Sequence, residues 1–100
     1  MTTLVNDLEA VKALDITISA DALTVILADG RVVSVPLTWY RRLLHGSPHE
    51  RMNWEWIGDG EGIHWPDLDE DIGVEGMLLG KKSAESSESL ARWLEGRPNR

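Results

Sequence analysis

One hundred residues with a net charge of −7 at neutral pH are sized for one domain, and their average surface repels a phosphate backbone. With 42% apolar and 27% charged residues, composition is that of an ordinary globular protein and excludes wholesale disorder. No cysteine is present, which excludes a disulfide framework and a thiolate metal centre, and no apolar run reaches the about 18 residues that span a membrane.

The N-terminal stretch carries Asp7, Glu9 and Asp15 with no early positive charge, so it does not read as a signal peptide, and the expected location is the cytoplasm. Residues 14–18 alternate apolar and polar side chains, placing Leu14, Ile16 and Ile18 on one face of a strand. A turn over residues 19–22 leads to a second, β-branched strand over residues 23–28. Asp29-Gly30 is the dipeptide of a two-residue type I′ turn, and residues 31–35 return as a third strand that Pro36 ends. The first third is therefore a three-stranded antiparallel meander. Thr38 is positioned to cap a short helix over residues 39–44, with Trp39, Leu43 and Leu44 on one face and Arg41 and Arg42 off it. Ser47, Pro48 and Glu50 carry the pattern of a capping box with proline at the first helical position.

Residues 54–57 suggest a fourth strand with Trp54 and Trp56 on one face, and Ile63, His64 and Trp65 a fifth, joined by a glycine-rich hairpin loop at residues 58–62. Residues 67–71 read as an acidic loop, with Asp69 or Asp71 capping a short helix over residues 74–79 that Gly80 closes. Beyond Gly80 the chain turns polar. Residues 1–80 are thus one domain, and residues 81–100 a linker followed by an amphipathic helix over residues 83–95, with a frayed end. Leu90, Trp93 and Leu94 recur at helical spacing and are expected to face the domain or a second copy, so this helix is where a homo-oligomer would form. The fold class expected is α+β: a small single domain with an N-terminal meander, short helices and a C-terminal helix.

No constellation of catalytic residues emerges. There is no nucleophile elbow, and Gly58, Gly60 and Gly62 have the wrong spacing for a dinucleotide site. Asp67, Asp69 and Asp71 match the first, third and fifth positions of a calcium loop. The match then fails, because Ile72 stands where glycine is needed and Leu78 where a bidentate glutamate is needed. His45, His49 and His64 have no zinc spacing, and no metal or cofactor is expected. The five tryptophans suit either the core or an aromatic patch at an interface, where tryptophan is enriched.

Two stretches resemble a known family. Leu23-Thr24-Val25, Ala28-Asp29-Gly30 and Pro36-Leu37 are similar to its beginning. Glu50-Arg51, Trp54, Gly60, the run from Gly62 to Ile72 and the run from Val74 to Gly80 resemble its closing signature. Across residues 12–80 the chain resembles the bacterial family called domain of unknown function 2442. The resemblance implies a small α+β domain, sometimes fused to a helix-turn-helix unit and often encoded beside another small family, in the antitoxin seat of a toxin–antitoxin-type pair. It implies no catalytic residues, and the stretch after Gly80 is too short for a helix-turn-helix unit.

Acidity, the missing catalytic set and the resemblance together point to a non-catalytic protein-interaction module with a basic protein partner, antitoxin-like in its role. The partner-binding residues expected are Trp65, as an exposed aromatic anchor, with Asp67, Asp69, Glu70, Asp71 and Glu75 around it. Direct nucleic-acid binding and membrane association are not expected. The alternatives are a DNA-linked regulator acting with another chain or through Arg41-Arg42, and a small-ligand or metal-binding domain using His64 and the acidic loop.

Overall fold

Alternation of apolar and polar side chains builds the first sheet. The computed structural model describes residues 11–97; residues 1–10 lie outside them, as do residues 98–100 of the end expected to fray over residues 96–100, whose Arg97 is instead held by Glu50. Strands β1 (Ala13–Ile18), β2 (Ala22–Leu27) and β3 (Val32–Pro36) pair antiparallel in the order β1-β2-β3, as a meander. Leu23, Val25, Leu27 and Val35 point into the core, while Thr24 and Ser34 meet across the outer face, their hydroxyls 2.9 Å apart. One face assignment fails. The register shifts between Ala13 and Asp15, so Ala13 and Ile16 are both buried and Leu14 is turned outward. An extra residue in a strand reverses the face of what precedes it, and period-two reasoning cannot detect it.

The β2–β3 turn also differs in type. Leu27 N donates to Arg31 O (2.8 Å), closing a three-residue loop over residues 28–30 instead of a two-residue one. Only Gly30 is left-handed there, at φ +94°, whereas a type I′ turn would require Asp29 to be so as well. Asp29 instead accepts hydrogen bonds from Arg31 N (3.0 Å) and Arg31 Nε (2.8 Å), which fixes the loop from within.

The predicted helix over residues 39–44 is split. A 3₁₀ turn (Leu37–Trp39) runs into α1 (Arg41–His45), and Thr38 caps neither. Leu37 N is held by Asp21 O (2.8 Å), and Leu37, Tyr40 and Leu43 are all buried, so the break turns Tyr40 inward between the two segments. Helix α2 (Pro48–Met52) follows with its capping box formed: Ser47 Oγ accepts from Glu50 N, and Glu50 Oε1 accepts from Ser47 N.

Strands β4 (Glu55–Ile57), β5 (Gly62–Trp65) and β6 (Glu70–Gly73) make a second antiparallel sheet. The third strand corrects the acidic-loop reading: Glu70 and Asp71 are strand residues, and the turn is confined to residues 66–69. Neither Asp69 nor Asp71 caps α3 (Val74–Leu78), whose N-cap is Gly73. The sheets meet where Ala13 N donates to Gly60 O (2.7 Å). Gly60 has φ +81°, and a Cβ there would lie 2.4 Å from Ala13 O, so only glycine fits this junction. Ile63, Trp65, Leu68, Ile72, Val74 and Met77 complete a core shared with the first sheet.

Residues 81–86 carry no regular structure but are fastened to the domain. Ser83 N donates to Trp39 O, Tyr40 Oη to Lys81 O, and Arg41 Nη2 to Glu85 O. Helix α4 (Ser87–Glu95) starts four residues later than expected, because Ser86 Oγ takes the cap position and accepts from Ser89 N (3.0 Å). Its apolar side faces the domain. Leu90 is buried, and Trp93 packs on the core between the guanidinium groups of Arg42 and Arg97, 5.0 and 4.6 Å from its ring centre.

Candidate functional site

Period-two geometry in the β5–β6 hairpin sorts the acidic run into two environments. His64 pairs with Glu55 on one side and Asp71 on the other, so these three side chains form a row across the outer face of the second sheet. His64 Nδ1 and Asp71 Oδ1 lie 2.5 Å apart. The hydrogen bond to Asp71 raises the imidazole above its usual range, with Glu55 and Asp69 adding to the effect. Asp67 and Asp69 are exposed in the turn. Asp67 accepts from Asn53 Nδ2 (2.9 Å), and Asp69, left-handed at φ +51°, lies 3.5 Å from Arg42 Nη1. Asn53 is flanked in sequence by Met52, 70% exposed, and by the half-buried Trp54, whose ring meets that of Trp56.

Trp65 is not the exposed anchor expected. It is 0% exposed, and its indole N–H donates to Arg51 O (3.0 Å). The face of β5 that carries Ile63 into the core carries Trp65 as well, and a tryptophan whose N–H finds a backbone acceptor is well placed inside. Glu70 is also displaced from the predicted surface. It pairs with Trp65 across the sheet, is only 8% exposed, and accepts no hydrogen bond among the described residues. Burial pushes its carboxyl up to about 7, against the opposing pull of the Arg42 charge. Glu75 is exposed at the start of α3 but borders a different cavity, with Val11, Lys12 and Glu61. Of the six predicted partner-binding residues, the structure therefore gathers Asp67, Asp69 and Asp71 on one surface. It turns Trp65 and Glu70 inward and sets Glu75 apart.

Sequence reasoning offered Arg42 only as half of a basic strip and missed its role. Its Nε and Nη2 donate to the Glu85 carboxylate, at 2.6 Å for the shortest contact. Its Nη1 reaches the carbonyl oxygens of Leu68 and Asp69. This pairing holds the Glu85 carboxyl below its ordinary range and the guanidinium above its own. Arg41, beside it, donates to the Glu85 carbonyl oxygen, so both arginines of the pair are tied to the segment that precedes α4. The partner lies 43 residues away in sequence, and no local pattern announces it.

Tyr40, Glu70, Asp71 and Gly76, together with residues 81–84, line a half-open cavity of about 340 Å³. Among the described residues no three His, Asp or Glu side chains converge as metal ligands would, and no helix is long and apolar enough to cross a membrane.

A crystal structure of a protein of unknown function from Rhodospirillum rubrum is similar to this chain at 25% identity and TM-score 0.63, covering 74% of this chain and 92% of that one. A solution structure of an uncharacterised protein from Chromobacterium violaceum shares the fold at TM-score 0.62 and 19% identity, covering 81% and 74% respectively. No curated protein matches the chain. The family model described as Protein of unknown function (DUF2442) matches residues 13–83, which span both sheets, the turn at residues 66–69 and the Glu70 cavity, and the chain belongs to that family.

Proposed function

We propose that this chain is a non-catalytic protein-interaction module, acting in the cytoplasm, that binds a small basic protein through the outer face of the β5–β6 hairpin and occupies the antitoxin-like seat of such a pair. The observation that carries this reading is the sorting within residues 64–72. The β5–β6 hairpin buries Trp65, Leu68 and Ile72 and leaves Asp67, Asp69 and Asp71 outside, on a chain whose net charge is already −7. Such a surface attracts a cationic partner over a distance near the Debye length, about 8 Å at physiological salt. With Trp65 in the core, the apolar contact falls to Met52 and the half-buried Trp54, which flank Asn53. Exposed charges mainly speed encounter, while a desolvated apolar anchor mainly slows dissociation.

The test is association kinetics with the partner captured from the native host on tagged protein. The double variant Asp67→Asn, Asp69→Asn removes two charges and keeps the left-handed backbone at residue 69, which asparagine tolerates. Its association rate at low salt should fall several-fold, on the order of the effect of removing two steering charges, and its salt dependence should flatten. Near-UV circular dichroism should be unchanged. A captured partner that is itself acidic, or an unaltered association rate at low salt, would overturn the reading.

A further inference from the structure

A buried carboxyl group needs a partner or water, and among the described residues the Glu70 carboxyl accepts no hydrogen bond, so only the solvent that still reaches its oxygens can satisfy it. It sits on the core-facing side of β6 opposite Trp65, more than nine-tenths buried, with its head toward the cavity beneath residues 81–84. The groups around it are otherwise engaged. Arg42 uses Nε and Nη2 on Glu85 and Nη1 on the Leu68 and Asp69 carbonyls. The Tyr40 hydroxyl donates to Lys81 O, which leaves its oxygen as an acceptor only. Asp71, on the neighbouring position of the same strand, is paired with His64, and Asp69 and Glu85 add negative potential. Around Glu70 the cavity wall thus presents the Tyr40 oxygen as an acceptor and negative charge from Asp71.

The mouth has the opposite character. Lys81 and Lys82 line it; the Lys82 ammonium lies over the Trp39 ring, 5.6 Å from its centre, and Lys81 makes no side-chain bond among the described residues. The volume, about 340 Å³, is at the small end of the range for ligand sites, roughly 300–1,000 Å³. From this juxtaposition of a buried unpartnered carboxylate and a lysine-lined mouth, we propose that the cavity binds a small zwitterion, its ammonium on Glu70 and its carboxylate toward Lys81. Asp71 lines this cavity as well as the outer acidic face, so the two sites adjoin, but the ligand proposed here does not depend on the partner assigned to that face.

β-Alanine and γ-aminobutyrate serve as probes, with propylammonium and propionate as their half-charged counterparts. Amide chemical-shift titration of the intact chain at about pH 8 should show one of the zwitterions perturbing Tyr40, Gly73, Gly76 and Ser83 together. Each half-probe should bind at least about tenfold more weakly, since each forfeits one charge-assisted contact. Binding needs the ionised carboxylate, so lowering the pH to about 5.5 should weaken the apparent affinity about 30-fold, the loss of ionised fraction expected for a group titrating near 7. Both probes keep their charges across that interval. Glu70→Gln should abolish binding at either pH while leaving the amide spectrum of the fold and the titration of His64 intact. Lys81→Ala should weaken the zwitterion and leave propylammonium unaffected. The proposal is overturned if neither zwitterion perturbs these amides at about pH 8, if Glu70→Gln binds as the parent does, or if propionate alone binds as well as the zwitterions.

Discussion

Replacing Glu70 by glutamine keeps the shape of the side chain and removes its titration, so its effect on stability has a sign that depends on pH. Burial raises the carboxyl from an ordinary value of 4.5 to about 7 in the folded chain. Between those values the folded state holds more protons than the unfolded state. Stability therefore falls as pH rises through this interval, and the penalty is complete above it. A rise of that size corresponds to about 3 kcal/mol, a large fraction of the ~5–15 kcal/mol that holds a domain of this kind together. Glu70→Gln should match the parent near pH 4.5 and exceed it by up to about 3 kcal/mol near pH 8, because an amide avoids the cost of burying charge. Urea unfolding at a series of pH values reads this directly, as a difference in midpoint on the order of 1–2 M at the alkaline end. Parallel pH profiles for the two proteins would refute the reasoning, since they would mean that Glu70 titrates alike folded and unfolded.

Two further changes probe the scaffold that holds the site. Gly60→Ala should cost at least about 2 kcal/mol and lower the melting temperature. The new Cβ would lie 2.4 Å from Ala13 O at a left-handed backbone position, so the seam between the sheets must open. An alanine variant that melts with the parent would show that this junction is slack. Trp93→Ala removes the partly buried ring that two guanidinium groups cover, and should cost on the order of 2 kcal/mol in thermal unfolding while leaving the strand signal in far-ultraviolet circular dichroism. An unchanged melting temperature would place α4 outside the cooperative unit.

The N-terminal meander was legible because Leu23, Val25, Leu27 and Val35 repeat at the period of a strand and turn residues separate the runs. Its errors came from a bulge and a loop of one extra residue, both invisible to a strict alternation. The helix capped by Ser47 was legible because its signal lies within four residues, Ser47 to Glu50. Strand β6 was not, because Glu70 occupies the position where the pattern calls for an apolar side chain. A buried charge breaks the periodicity that would reveal the strand carrying it. That substitution also hid the cavity, since a run of acidic residues ordinarily means solvent. Trp65 was misplaced for a related reason: tryptophan suits core and interface equally, and the neighbouring carboxylates weighted the choice toward the surface. The bonds of Arg42 to Glu85 and of Arg97 to Glu50 span more than 40 residues, and spacing along one chain carries no information about them.

The nine residues of α4 fall short of the about 12–15 that an isolated helix needs to persist in water. Its helical form therefore exists only while it is seated, held by Leu90 and Trp93 against the core and by Arg42 on Glu85 just before its first turn. Seating and coiling are one event, so the segment has two states, docked helix and released coil, with little between them. The same guanidinium also reaches the carbonyls of Leu68 and Asp69 in the turn below. Release of the tail would free Arg42 Nε and Nη2 while the turn keeps its own anchors, the buried Leu68 and the Asn53–Asp67 bond, so Arg42 is the joint through which the tail is coupled to the turn.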